Sequence, residues 1–78
     1  AREAGRRNVR ANVVLPGFVV TDMTSGLPEN IVKHLRQDEC LPCGVSPASV
    51  AVAVAFLLSD RAAAITGQAL NVDAGASA

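Results

Sequence analysis

The sequence predicts an α/β fold in which two parallel strands are joined by a crossover containing an apolar helix. Three observations predict it. Residues 9–15 (Val-Arg-Ala-Asn-Val-Val-Leu) are rich in β-branched side chains and stop at Pro16-Gly17, which reads as a strand ended by a turn. Residues 47–58 carry no charge and open with a proline directly after Ser46, a capped helix start. Residues 68–72 make a second strand, closed by Asp73-Ala74-Gly75. The order strand, excursion, helix, strand fits a right-handed βαβ crossover.

Each element has its own local signal. Residues 1–7 are short, charged and alanine-containing, and read as the tail of a helix that begins upstream. Residues 18–25 continue extended and break at Gly26. Residues 28–37 predict a helix with Pro28 in its first turn and Ile31 and Leu35 on one face. Residues 38–46 hold two glycine or proline breaks and read as a loop. In the helix at 47–58, Val50, Val54, Leu57 and Leu58 share a face, while Val52 and Phe56 lie elsewhere and are apolar too. A helix apolar on more than one face is buried on more than one side. Residues 59–64 connect it to a tight turn at Ile65-Thr66-Gly67. Two parallel strands and one helix leave sheet surface uncovered, and parallel sheets are covered on both faces. The missing cover is expected to come from elsewhere.

Composition narrows the function classes. At 78 residues the chain is 50% hydrophobic and only 3% aromatic, so alanine and β-branched residues must fill any core. Seven basic and seven acidic side chains cancel, which removes the global electrostatic case for nucleic acid or an anionic membrane. The longest uncharged apolar stretch, residues 45–58, is shorter than the ~20 residues of a bilayer span. Nothing resembles a signal peptide, and two cysteines are too few for a secreted disulfide scaffold. The default expectation is a cytoplasmic location. The chain starts Ala1-Arg2-Glu3 and its only methionine is Met23, which is read as part of a longer chain or a processed start.

Two blocks carry a family resemblance. Residues 8–24 read Asn-Val-Arg-Ala-Asn-Val-Val-Leu-Pro-Gly-Phe-Val-Val-Thr-Asp-Met-Thr. Later come Val54-Ala55-Phe56-Leu57-Leu58-Ser59-Asp60, Ile65-Thr66-Gly67-Gln68 and Leu70-Asn71-Val72-Asp73. In order and spacing these resemble the C-terminal segment of the short-chain dehydrogenases/reductases, with the nearest likeness to 3-oxoacyl-(acyl-carrier-protein) reductases. The resemblance implies the C-terminal βαβ portion of a Rossmann-type doubly wound parallel sheet. The whole chain, residues 1–78, would form that segment, without the dinucleotide-binding half and the catalytic helix.

By the same match, Pro16, Gly17, Val19 and Thr21 are cofactor-binding residues on the nicotinamide side of NADP or NAD, NADP being favoured. Glycine at 17 removes a Cβ that would obstruct close contact. Val19 main-chain groups would bond the carboxamide, and the Thr21 hydroxyl the carboxamide or phosphate. Residues 24–45 correspond to the substrate loop and helix that close over a small-molecule or acyl-carrier-bound carbonyl, though residues 28–37 fit an ordinary surface helix equally well. The helix at 47–58 corresponds to one that packs on the sheet and on a neighbouring subunit in family tetramers. The implied partner is therefore a second copy, through residues 47–58 and the last strand.

The departures are as informative. The family's catalysis needs Tyr-x-x-x-Lys, a helping serine and a glycine-rich phosphate turn. Here there is no tyrosine, no Gly-x-Gly, and a single lysine, Lys33, in the loop helix. No catalytic residue is assigned, and the segment alone is expected to be inactive, since carbonyl reduction requires a proton donor. Two residues are missing between Gly44 and Pro47, together with an arginine the family often has there. Ala48-Ser49 replaces the usual acidic pair after the proline, Ala64 a common tyrosine, and Ala74-Gly75 the common Gly-Gly.

Other constellations are weaker. Cys40-Leu41-Pro42-Cys43 has the Cys-x-x-Cys spacing of redox motifs, but those sit at a helix start, and Gly44 follows here. His34 would add only a third ligand where structural zinc wants four, so no metal is assigned. Arg2, Arg6, Arg7 and Arg10 make a basic start that reads as a solvated helix end. Two function classes follow. One is an NAD(P)-dependent oxidoreductase to which this segment contributes the nicotinamide-side loop, substrate lid and subunit contact. The other is a truncated, non-enzymatic chain that acts by associating with full-length subunits, or not at all.

Overall fold

Proline, glycine and short polar side chains set where each element begins and ends. The computed structural model describes residues 1–21 and 25–78. Helix α1 spans Arg2–Gly5, strand β1 Val13–Pro16, helix α2 Glu29–Leu35 and helix α3 Pro47–Leu58. A 3-10 turn at Asp60–Ala62 leads to strand β2, Ala69–Val72. Of the predicted extension through residues 18–25, Val19 makes a bridge to Val45 and Ser25 lies in a turn, while residues 22–24, with the start of the substrate loop at Thr24, lie outside the described residues.

The two strands pair in parallel, with Val13 opposite Ala69, Val14 opposite Leu70, Leu15 opposite Asn71 and Pro16 opposite Val72. The βαβ expectation holds. Strand β1 is shorter than residues 9–15 because its upstream donors are taken by other groups. The Val9 N–H turns back to Ala4 O at 2.9 Å, and the Ala11 N–H donates to the Thr66 hydroxyl at 3.1 Å. At the other end Pro16 has no N–H to give, and Gly17 resumes the bonding by donating to Val72 O at 3.0 Å.

Helix α3 has the predicted bounds. The Ser46 hydroxyl accepts the Ser49 N–H at 3.1 Å, and Pro47 occupies the first turn, where a missing N–H costs nothing. The helix stops at Ser59, whose hydroxyl donates to Phe56 O at 2.6 Å. Helix α2 is shorter than predicted at both ends. Pro28 lies outside it as the cap residue, in an extended conformation with ψ 145°. At its far end the Arg36 side chain turns into the following loop, to Glu39 at 2.7 Å and to Pro42 O at 3.0 Å.

Helix α3 packs on β1, β2 and the 3-10 turn, whereas α2 packs on no other element among the described residues. Val45 and Ala62 are the buried apolar side chains of the core. The outer sides of α3 are wet, with Val52 69% and Leu58 78% exposed. The accessible surface is 6033 Å², against roughly 4,500 Å² for a compact chain of this mass. The radius of gyration is 15.3 Å, against roughly 11–12 Å for a compact domain of this length. The segment is more open than a compact chain of its size, and much of its apolar surface is exposed. None of the described helices is long and apolar enough to cross a membrane.

Candidate functional site

The carboxyl ends of β1 and β2 lie side by side, because the register puts Pro16 against Val72. In open α/β sheets ligands bind beyond such ends. The chain leaves β1 through Gly17, where an added Cβ would sit 2.8 Å from the Asp73 Cβ and 3.0 Å from its Cα. The close approach that Gly17 allows in this chain is therefore to the end of the neighbouring strand. Any side chain at 17 would push the two strand ends apart.

Beyond Gly17 the chain runs along the segment that enters α3. Val19 makes an isolated parallel bridge with Val45, and the Val20 N–H donates to Val45 O at 3.1 Å. In a parallel bridge one residue bonds through its own main-chain groups to the neighbours of the other, and here the bonding carbonyl belongs to Val45. The N–H and C=O of Val19 consequently face the other way, a donor and an acceptor side by side. Thr21 is half-buried, and its carbonyl accepts the Ser25 N–H at 3.1 Å. Pro16, Gly17, Val19 and Thr21 thus form one continuous run across the top of the sheet.

Asp73 is the titratable group at this end of β2. Its carboxylate accepts the Gly75 N–H at 3.0 Å and the Ser77 N–H at 3.2 Å. Hydrogen bonding from the Ser77 side chain is the largest influence holding its pKa below the ordinary value; partial desolvation opposes it, and the Gly75 and Ser77 amides add to the lowering. A carboxylate kept ionised in this way is a poor proton donor. Among the described residues, the site can present a main-chain edge at Val19 and a wall formed by Gly17 and Asp73.

The two cysteines singled out in the sequence lie in the loop after α2, with Cys40 against the turn that follows Asp73. Cys40 and Cys43 are exposed free thiols in the loop before α3; the Cys40 thiol is 3.5 Å from Gly75 O, and that of Cys43 is 3.5 Å from Gly44 O. Groups of three or more metal-ligating side chains are absent among the described residues.

Arg10 corrects the reading of a solvated basic start. Its guanidinium is part-buried and donates to Leu57 O at 2.7 Å, Ser59 O at 3.3 Å and Ile65 O at 3.3 Å. These include carbonyls at the exit of α3, which its own helix cannot satisfy, and α3 has no basic residue in its last turn. Asn12 likewise ties two segments, donating to Ile65 O at 3.1 Å and accepting the Gln68 N–H at 3.0 Å. The signal available for Arg10 was an uncharged helix needing a cation at its C-terminal end; Asn12 had none.

Known proteins match this segment along nearly its whole length. The family described as enoyl-(acyl carrier protein) reductase matches residues 1–77. The chain is 40% identical over 75 residues to a 3-oxoacyl-(acyl-carrier-protein) reductase FabG of Chlamydia muridarum, covering 96% of this chain and 30% of that protein. A short-chain type dehydrogenase/reductase from Mycobacterium ulcerans superposes with a TM-score of 0.89 at 35% identity, over 97% of this chain and 28% of the other. A 4-hydroxyisoleucine dehydrogenase complexed with NADH and succinate gives 0.85 at 27% identity, over 99% of this chain and 31% of the other. The chain thus spans less than a third of the length of the proteins it matches.

Proposed function

The chain belongs to the short-chain dehydrogenase/reductase family, and from that premise we propose that it forms the nicotinamide-side wall of an NAD(P)-dependent oxidoreductase acting on a 3-oxoacyl thioester. The observation that carries this reading is the Pro16–Thr21 run laid across the ends of the parallel pair, with the main-chain edge of Val19 turned outward. A nicotinamide carboxamide has an N–H donor and a carbonyl acceptor, and the Val19 edge offers their complement. The Thr21 hydroxyl would hold the carboxamide or a phosphate. When bound, the dinucleotide supplies a hydride. Binding and orientation are the work of this segment, and the proton comes from residues outside it.

The substrate class rests on the likeness to the Chlamydia muridarum reductase, and the choice of a dinucleotide on the 4-hydroxyisoleucine dehydrogenase found with NADH. NADP is kept ahead of NAD on family likeness. Residues 25–45 would act as the substrate lid, since α2 stands away from the sheet with Ile31 43% and Leu35 47% exposed. The uncovered faces of α3, with β2, would take a second copy of the protein, up to a tetramer.

The test is oxidation of NADPH and NADH by the intact protein with an acetoacetyl thioester, beside the same assay on the isolated 78-residue chain. Turnover by the intact protein, weakened by Gly17→Val and Thr21→Ala, is expected, with none from the isolated chain. Turnover by the isolated chain would refute the placing of proton donation outside it. The exposed apolar surface also favours the second reading, a non-enzymatic chain that associates with full-length subunits. Absence of a Tyr-x-x-x-Lys sequence in frame upstream would select it.

A further inference from the structure

The turn at residues 73–75 touches both functional loops. On one side Asp73 fills the space where a Gly17 side chain would stand. On the other, Ala74 O accepts two amides from the loop after α2, Cys40 N–H at 2.7 Å and Leu41 N–H at 3.1 Å. An added Cβ on Gly75 would meet the Cys40 Cβ at 2.9 Å, so here too glycine is needed for contact. The turn is stiff. The Asp73 carboxylate holds the amides of residues 75 and 77, and Ala74 is locked at φ 55°, a conformation that alanine adopts only when its surroundings impose it. A cavity of about 340 Å³ lies beneath this junction, lined by Leu41, Val45, Ser49 and the turn itself.

We propose that this turn couples the two loops, so that the position of Gly17 and the seating of Cys40 on Gly75 are set together. Asp73 is then a positioning residue: it orders the turn and so fixes both the cofactor-side loop and the base of the lid. The coupling rests on the reading of Gly17 and Val19 as the nicotinamide side. It goes beyond that reading by making lid seating and cofactor affinity functions of one another, as linkage requires of any two sites that share an element.

The experiment is maleimide labelling of Cys40 in the intact protein carrying Cys43→Ser. The first arm uses no cofactor. Gly17→Ala, whose new Cβ must displace Asp73, is expected to raise the Cys40 labelling rate about fivefold or more, whereas Val52→Ala on the outer side of α3 leaves it unchanged. Equal rates in Gly17→Ala and wild type overturn the coupling. If Gly17→Ala fails to fold, Asp73→Asn gives the same reading without a clash, because it keeps the volume and removes the charge that orders the turn. The second arm perturbs the lid end. Gly75→Ala is expected to weaken NADH binding, followed by NADH fluorescence, about fivefold or more. Unchanged affinity overturns the coupling. If the wild-type protein binds neither NADH nor NADPH, the cofactor reading fails, and the first arm alone decides the coupling.

Discussion

Arg10 and Leu57 are 47 positions apart in the chain, yet the guanidinium of one lies 2.7 Å from the carbonyl of the other. The same side chain reaches Ser59 O and Ile65 O, so one cation ties the approach to β1 to the exit of α3 and the turn before β2. Hydrogen bonds from a charged donor are worth about 1.5–3 kcal/mol. Arg10→Ala is expected to lower unfolding stability by about that amount in denaturant titration. Arg10→Lys recovers only part, because a single ammonium lacks the planar fork that spans several acceptors.

The entry to α3 depends on the Ser46 hydroxyl and has no acidic residue in its first turn. Ser46→Ala is expected to cost about 1 kcal/mol through loss of the cap. Ala48→Glu should add about 0.3–1 kcal/mol by placing negative charge at the positive end of the helix. Thermal midpoints of the two variants against wild type check both signs.

Ala74 sits at φ 55°, in the left-handed region that costs a residue with a Cβ about 1–2 kcal/mol. Ala74→Gly removes that strain and adds backbone freedom to the unfolded chain, worth about 0.4–1 kcal/mol. A net gain of under about 1 kcal/mol is expected, read as a higher melting temperature.

Asp73 has a folded-state pKa below its ordinary value. Its contribution to stability is therefore present above ~pH 4, the unfolded carboxyl's value, and is lost as the pH falls through the lowered folded value. Stability measured from about pH 6 down to about pH 3 should decline less steeply in Asp73→Asn than in wild type. An identical acid limb in the two proteins would refute a role for this carboxylate.

Leu58 and Val52 are among the most exposed apolar side chains. If α3 meets a second copy, Leu58→Glu and Val52→Glu should shift the protein to a smaller assembly in analytical ultracentrifugation, by setting a charge against a dry contact. Unchanged mass would assign that face to another partner.

The parts legible in the sequence were those with local causes. Helix α3 announces itself with Ser46, Pro47 and a run without charge, and its bounds follow from these alone. The Pro16-Gly17 step marks the end of β1 in the same way. Strand β1 was overestimated because the Ala11 donor goes to the Thr66 hydroxyl, 55 positions later, and a run of β-branched residues carries no information about that partner. Arg10 looked solvated for the same reason. For the site, the contiguous run from Pro16 to Thr21 could be placed at a strand end from its own residues. The contact of Gly17 with Asp73 could not, since it depends on the register between two strands rather than on either one.

Parallel pairing across such a long crossover has a consequence for synthesis. Gln68 donates its N–H to Asn12 from 56 positions away; at ~5–20 residues per second a ribosome needs several seconds to make that stretch. Until that stretch is made the earlier strand, with its valines, lacks this mate. Slow codons between the two strands would prolong the wait and favour capture by chaperones or by other nascent chains, and faster decoding should raise the soluble yield of the same amino-acid sequence.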